Sequence, residues 1–261
     1  MHRFFVPPAW VRGNEVTITG PQAHQIARVL RMQPDDQVTV LDNSGWEIEV
    51  RLTSVDRTEV KGDVVHRRLA DGEPRTKITL YLGVLKSNRF EFLLQKGTEL
   101  GVVQFVPVIA DRCVVSDLDA VEKKLGRWEW IIQEAAEQSH RGRKPSLRPA
   151  ILFPQACERA RQSRGLSLIP WEEERAVDLR ELLRNPPADL DPSATGRRTP
   201  GWPPFTLNVF IGPEGGFTAE EVDVAQRYGL VPVTLGPRIL RAETAGIVAA
   251  AAILYELGDL A

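Results

Sequence analysis

From Lys77 onward the chain alternates apolar runs with amphipathic ones, and this rhythm constrains the fold more than any other feature. "KITLYLGVL" from Lys77 reads as a strand, "RFEFLLQKGTELG" as a helix closed by Gly101 at its C-cap, and "VVQFVPVIA" as a second strand. Between Asp119 and Ser139, Val121, Leu125, Trp128, Ile132 and Ala136 recur at helical spacing, which predicts one long amphipathic helix. Further strands are expected at Leu166–Ile169, Thr206–Ile211 and Val231–Leu235, with helices at Thr218–Tyr228 and Arg241–Leu257. Such alternation requires an α/β domain with a mainly parallel sheet covered by helices, here 76–261. Within it, Asn185–Phe205 is rich in Pro and polar residues and reads as a mobile insertion loop.

Residues 1–72 have a different rhythm. "EVTITG", a hairpin pattern turning at Asp42-Asn43-Ser44-Gly45, and "TEVKGDVVHRRL" are short strands, interrupted by one helix from Gln22 to Arg31. Short strands with Gly and Asp turns suggest a small β-barrel. The opening His2–Pro8 has no long apolar stretch after its basic residue, so no secretory leader is expected. The apolar run Ala245–Leu254 falls well short of the ~20 residues a membrane span needs. Cys113 and Cys157 stand apart with no CxxC or Cys/His neighbour, which fits free thiols in a cytoplasmic protein and gives no reason to expect a metal. The net charge of −2 argues mildly against a non-specific nucleic-acid binder. Locally, however, Arg141, Arg143, Lys144 and Arg148 cluster without an acid between them, either as a solvated loop or as a phosphate-contacting patch.

Two turns carry the chemistry. "IGPEGGFTAEE", from Ile211, follows a strand and precedes a helix, with Thr218 and Glu221 spaced as a capping box. It has neither the Lys-Ser/Thr of a P-loop nor GxGxxG, and Glu214 between its glycines would repel a phosphate. A neutral or cationic ligand, approached by glycine backbone, suits it better; a purely structural turn is the plain alternative. "LGPRILRAETAG", from Leu235, also joins a strand to a helix and brings Arg238, Arg241 and Glu243. Glu243 near a helix N-terminus is favourable to the helix dipole without any function. Two such turns at strand C-termini, however, are where open α/β sheets bind ligands.

These two stretches, with "LQKGTELGV" (Leu94–Val102), "EAAEQSHR" (Glu134–Arg141), the opening "HRFF" and "HQIARVLRM" (His24–Met32), resemble the RsmE family of 16S ribosomal RNA methyltransferases. The resemblance covers nearly the whole chain except the 185–205 loop. It implies a SPOUT-type α/β domain tied in a trefoil knot, behind an N-terminal PUA-like RNA-binding barrel. The implied activity is methylation of N3 of a uridine in 16S ribosomal RNA, with S-adenosyl-L-methionine as donor; another RNA position, such as a ribose 2′-hydroxyl, or a non-catalytic assembly factor are the alternatives. It implies a homodimer acting on 16S ribosomal RNA or the small ribosomal subunit. Three loops would hold the cofactor: Leu168, Ile169, Pro170 and Trp171; Ile211, Gly212, Pro213, Glu214, Gly215 and Gly216; and Leu235, Gly236, Ile239 and Leu240. Arg241 and Glu243 are the expected catalytic pair. Arg3, Arg12, Arg28, Arg31, Lys86, Arg89, Arg141, Arg143 and Lys144 are the expected RNA contacts.

Overall fold

The computed structural model describes residues 1–115, 117–163, 165–184 and 206–260; the expected insertion loop at 185–205 lies outside them. The chain divides into two compact units, 1–73 with 133–144, and 74–132 with 145–261.

The first unit contains β1 (His2–Phe5), β2 (Val11–Arg12), β3 (Glu15–Thr19), α1 (Gly20–His24), β4 (Gln37–Leu41), β5 (Trp46–Val55) and β6 (Glu59–Leu69). One sheet runs in the order β1-β4-β5-β6-β3-β2, antiparallel except where β1 pairs with β4. The alternation visible in "EVTITG" turns Val16 and Ile18 into a core with Phe4, Ile26, Val38, Val40, Ile48, Val50 and Val60. The helix expected from Gln22 to Arg31 is shorter: α1 ends at His24 and passes into a π-turn over Gln25–Val29. Residues 133–144 group with this unit, although the change of rhythm alone assigns them to the second domain. Glu137 explains part of the grouping, since its Oε1 accepts a hydrogen bond from Phe5 N at 2.8 Å.

The second unit contains β7 (Lys77–Gly83), α2 (Ser87–Leu100), β8 (Gln104–Ile109), α3 (Leu118–Glu122), α4 (Leu125–Gln138, whose last residues group with the first unit), β9 (Ser146–Leu147), β10 (Ile151–Leu152), α5 (Phe153–Gln162), β11 (Leu166–Pro170), α6 (Leu179–Arg184), β12 (Thr206–Ile211), α7 (Ala219–Arg227), β13 (Val231–Val233) and α8 (Ala242–Glu256). Its sheet is parallel, in the order β10-β8-β7-β12-β11-β13, with β9 beside β8. The central strands are apolar on both sides: Leu80, Leu82, Val209 and Ile211 enter one core, while Tyr81 and Phe210 enter the other and stack at 4.4 Å. Burial on both faces is what near-continuous apolar strands require. The long helix expected over 119–139 breaks into α3 and α4 at Lys123-Lys124, yet Val121, Trp128 and Ile132 still reach the same core. Capping works as the sequence predicts at α7: Thr218 Oγ1 accepts from Glu221 N at 3.1 Å, and Glu221 Oε2 accepts from Thr218 N at 3.0 Å.

Candidate active site

A cleft of about 220 Å³ opens at the C-terminal ends of β11, β12 and β13. Pro170 and Trp171 form one wall, Ile211–Phe217 the second, and Thr234–Ala242 with Ala245 the third; Arg89, Glu172 and Arg175 complete it. A parallel sheet produces this site because its strands all end on the same side. The second wall depends on close backbone packing at β7: a Cβ on Gly83 would lie 2.5 Å from Pro213 N. The turn closes with Pro213 O accepting from Gly216 N at 3.0 Å, and Arg112 Nη1 donates to Gly215 O at 2.7 Å.

Glu214 has a definite anchor. Its Oε1 accepts a hydrogen bond from Lys86 N at 3.0 Å and lies 3.9 Å from Arg89 Nη1, so the carboxylate fastens the turn to the start of α2. Arg89 also reaches α8, with its Nε 3.7 Å from Glu243 Oε1. One guanidinium therefore stands between carboxylates from two cleft-lining segments. Glu243 is mostly buried and does not line the cleft, and its Oε2 has no hydrogen-bond donor among the described residues. Arg241, at the N-cap of α8, lines the cleft and makes no ion pair among the described residues. The expected Arg241–Glu243 neighbourhood is thus divided: Arg241 faces the cleft, while Glu243 turns to Arg89.

Of the expected cofactor residues, Pro170, Ile211–Gly216, Leu235, Gly236, Ile239 and Leu240 line the cleft. Leu168 and Ile169 do not: both side chains are fully buried on β11 and pack into the two cores. The loop begins where the strand stops, one step later than the sequence reading places it. Glu172, Arg175, Phe217, Thr234 and Ala245 were not expected. For Glu172 the signal was present, since "WEEE" directly follows the strand; Arg89 is far from the turns in sequence and gave none.

The expected RNA contacts also divide. Arg12, Arg28, Arg31 and Lys86 are exposed. Arg3 is corrected to a structural role, because its buried guanidinium is bonded to the equally buried Glu47, which Arg68 also holds at 2.7 Å. Arg141 is likewise no surface contact: its side chain is 2% exposed and donates to both oxygens of Glu73, at 3.3 and 2.9 Å. Arg143 is exposed, but its Nη2 donates to Ser44 O at 2.7 Å, and Lys144 N donates to Asn43 Oδ1 at 2.7 Å. Within the basic cluster, the Arg143 side chain and the Lys144 backbone therefore tie 143–144 to the hairpin turn, while Arg141 is held by Glu73. Arg89 belongs to the cleft rather than to a separate basic face.

Glu172 and Glu214 line the cleft together with Arg89, Arg175, Arg238 and Arg241, and no glycine-lysine phosphate cradle is present among the described residues. Comparison with known proteins agrees. The pattern of the RNA methyltransferase domain family matches residues 72–254, and that of the RNA methyltransferase PUA domain matches 18–65. The chain is 32% identical over 260 residues to the ribosomal RNA small subunit methyltransferase E of Bacillus subtilis, spanning 98% of this chain and 97% of that one. The same-named protein of Synechocystis is 32% identical over 97% of this chain and 77% of its own. A ribosomal RNA small subunit methyltransferase E from Neisseria gonorrhoeae, solved bound to S-adenosyl methionine, superposes with a TM-score of 0.82 at 32% identity, covering 98% of this chain and 97% of that one. Matched by the family pattern over most of its length and by relatives end to end, the chain belongs to the ribosomal RNA small subunit methyltransferase E family of RNA methyltransferases.

Proposed function

We propose that this protein methylates N3 of one uridine in 16S ribosomal RNA, with S-adenosyl-L-methionine as donor. The observation that carries the reading is the cleft itself, which offers glycine backbone, apolar Ile211, Leu235 and Phe217, and Glu172 and Glu214 beside the glycine turn, with no glycine-lysine cradle among the described residues. These residues suit an adenosine bearing a cationic tail, and Pro170, Ile211–Gly216, Leu235, Gly236, Ile239 and Leu240 would hold it. When bound, the donor supplies an electrophilic methyl group on sulfur. The protein's part is alignment, a contribution that can reach roughly 7–11 kcal/mol when geometry is held well. For N3 to accept a methyl group, its proton must leave. In this reading Glu243, held beside Arg89 behind the cleft wall, accepts that proton through one intervening water, and Arg241, which makes no ion pair among the described residues, stabilises negative charge on the uracil oxygens.

Arg12, Arg28, Arg31, Lys86 and the exposed Arg143, with the half-buried Lys144, are the side chains left to contact the phosphate backbone. The reading includes a homodimer, supported by the outward apolar side chains Val248 and Tyr255 on α8 and by Ile239, 85% exposed beside the cleft. The trefoil knot, the assembled small subunit as partner and a cytoplasmic site of action rest on family membership. The test is nucleoside mass mapping of small-subunit RNA from a strain lacking the gene, before and after its restoration. Loss and recovery of 3-methyluridine at one position is expected. A ribose-methylated nucleoside instead, or no change, would replace this reading by one of its alternatives.

A further inference from the structure

Among the described residues, the acids lining the cleft are Glu172 and Glu214, and they differ in what they already hold. Glu214 is engaged by Lys86 N and lies beside Arg89. Glu172, just past the end of β11, makes no hydrogen bond or ion pair with any described residue. Its carboxylate nevertheless has a defined place. It stands over the α-carbon of Gly216, where an added Cβ would lie 2.5 Å from Oε1 and 3.0 Å from Oε2. Gly216 has φ 68°, so the turn demands a left-handed residue at the same point where Glu172 demands room. The preceding Trp171 also lines the cleft, and its indole N–H is buried without an acceptor among the described residues. One short segment thus brings an uncommitted charged acceptor and an unmatched donor to the cleft wall.

We propose that Glu172 is a cofactor-binding residue: its carboxylate accepts a cationic or hydrogen-bond-donating group of the methyl donor, and Gly216 keeps the space in which it stands. This rests on the cofactor reading above. The donor offers three groups of suitable chemistry, namely the sulfonium, the α-ammonium and the ribose hydroxyls. Arginines from the other walls cannot serve the sulfonium or the ammonium, because guanidinium donates and carries like charge. A charge-assisted contact of this kind is expected to contribute about 10- to 100-fold in affinity.

Isothermal titration calorimetry of the full-length protein tests the assignment, using S-adenosylmethionine, S-adenosylhomocysteine and 5′-methylthioadenosine as titrants. Glu172→Gln is expected to weaken the methyl donor about 10-fold and Glu172→Ala up to about 100-fold, with thermal unfolding of the ligand-free variants unchanged because the side chain is exposed. Weakening of the methyl donor alone assigns the contact to the sulfonium. Loss for donor and homocysteine product, but not the thioether nucleoside, assigns it to the ammonium. Equal loss for all three assigns it to the ribose. Gly216→Ala should weaken the wild-type protein more than it weakens the Glu172→Ala background, since only the former has a carboxylate to displace. Wild-type affinity in both Glu172 variants would overturn the proposal. Absence of binding by the wild-type protein at millimolar donor would overturn the cofactor reading beneath it.

Discussion

Arg89 holds two carboxylates at distances of 3.7 and 3.9 Å, too long for tight hydrogen bonds and well within reach of charge attraction. Such a pairing can orient a base or simply brace two segments, and Glu243 separates the two roles. Glu243→Gln keeps the shape but cannot accept the N3 proton. Turnover is expected to fall at least ~10-fold with S-adenosylmethionine affinity nearly unchanged, read by single-turnover kinetics beside calorimetry. A wild-type rate would leave Glu243 as a brace. Glu137 is a second residue whose surroundings decide its behaviour. Burial pushes its carboxyl above the ordinary range, against the hydrogen bonds it accepts from Phe5 N and Gln133. The folded protein then binds that proton more tightly than the unfolded chain. Stability associated with the protonated form is present below the ordinary carboxylate pKa and is lost as pH rises through the raised one. Glu137→Gln lacks this slope, so its stability relative to wild type should increase upward through that window in urea unfolding series.

At the scale of elements, α2 and α8 matter most, because they carry Arg89 and Glu243. Their approach depends on Gly246, where an added Cβ would lie 2.8 Å from Leu93 Cδ1. Alanine there gains helix propensity of ~1 kcal/mol over glycine, and the atom it meets is the end of a flexible side chain, so the two effects nearly offset. Valine adds branches that Leu93 cannot avoid. Gly246→Val should cost about 1–3 kcal/mol in chemical denaturation and lower turnover by parting Arg89 from Glu243. Elements also show where periodicity was readable. β7, β8, β12 and α8 are long and apolar enough to stand out in the sequence. α5 was missed because its buried face, Phe153, Ala156, Cys157 and Ala160, is mostly small residues among charged ones.

For the whole molecule, the assignment of 133–144 to the first unit is held by pairs distant in sequence. Arg141 and Glu73 form a forked, largely buried ion pair, and removing one partner leaves the other's charge stranded. Arg141→Ala should destabilise the protein by about 3 kcal/mol, measured by urea unfolding, instead of acting selectively on RNA affinity. The outward face of α8 bears on assembly. A helix with Val248 and Tyr255 exposed and Ala249, Ala250, Ile253 and Leu254 buried is apolar on nearly every side, as a helix between two protein surfaces is. Val248→Asp is expected to shift sedimentation from dimer to monomer; a wild-type species that already sediments as a monomer would remove the dimer from the proposed function.

The sequence alone determined the parallel α/β sheet, the two turns at strand ends and the lack of a P-loop in the first of them. Each of these follows from local pattern: residue periodicity, glycine placement and the absence of a lysine after the glycines. Only the tertiary structure decided the partners of the charged side chains. Arg89 moved from an expected RNA contact to the cleft, Arg3 and Arg141 from surface to interior, and Leu168 and Ile169 from ligand to core. An arginine's role depends on which carboxylate folding brings beside it, and Glu47, Glu73, Glu214 and Glu243 lie 44, 68, 125 and 154 residues from their partners. "IGPEGGF" lines the cleft as a turn at a strand end should, but its glutamate, bonded to Lys86 N, is first the clasp that holds the turn in place.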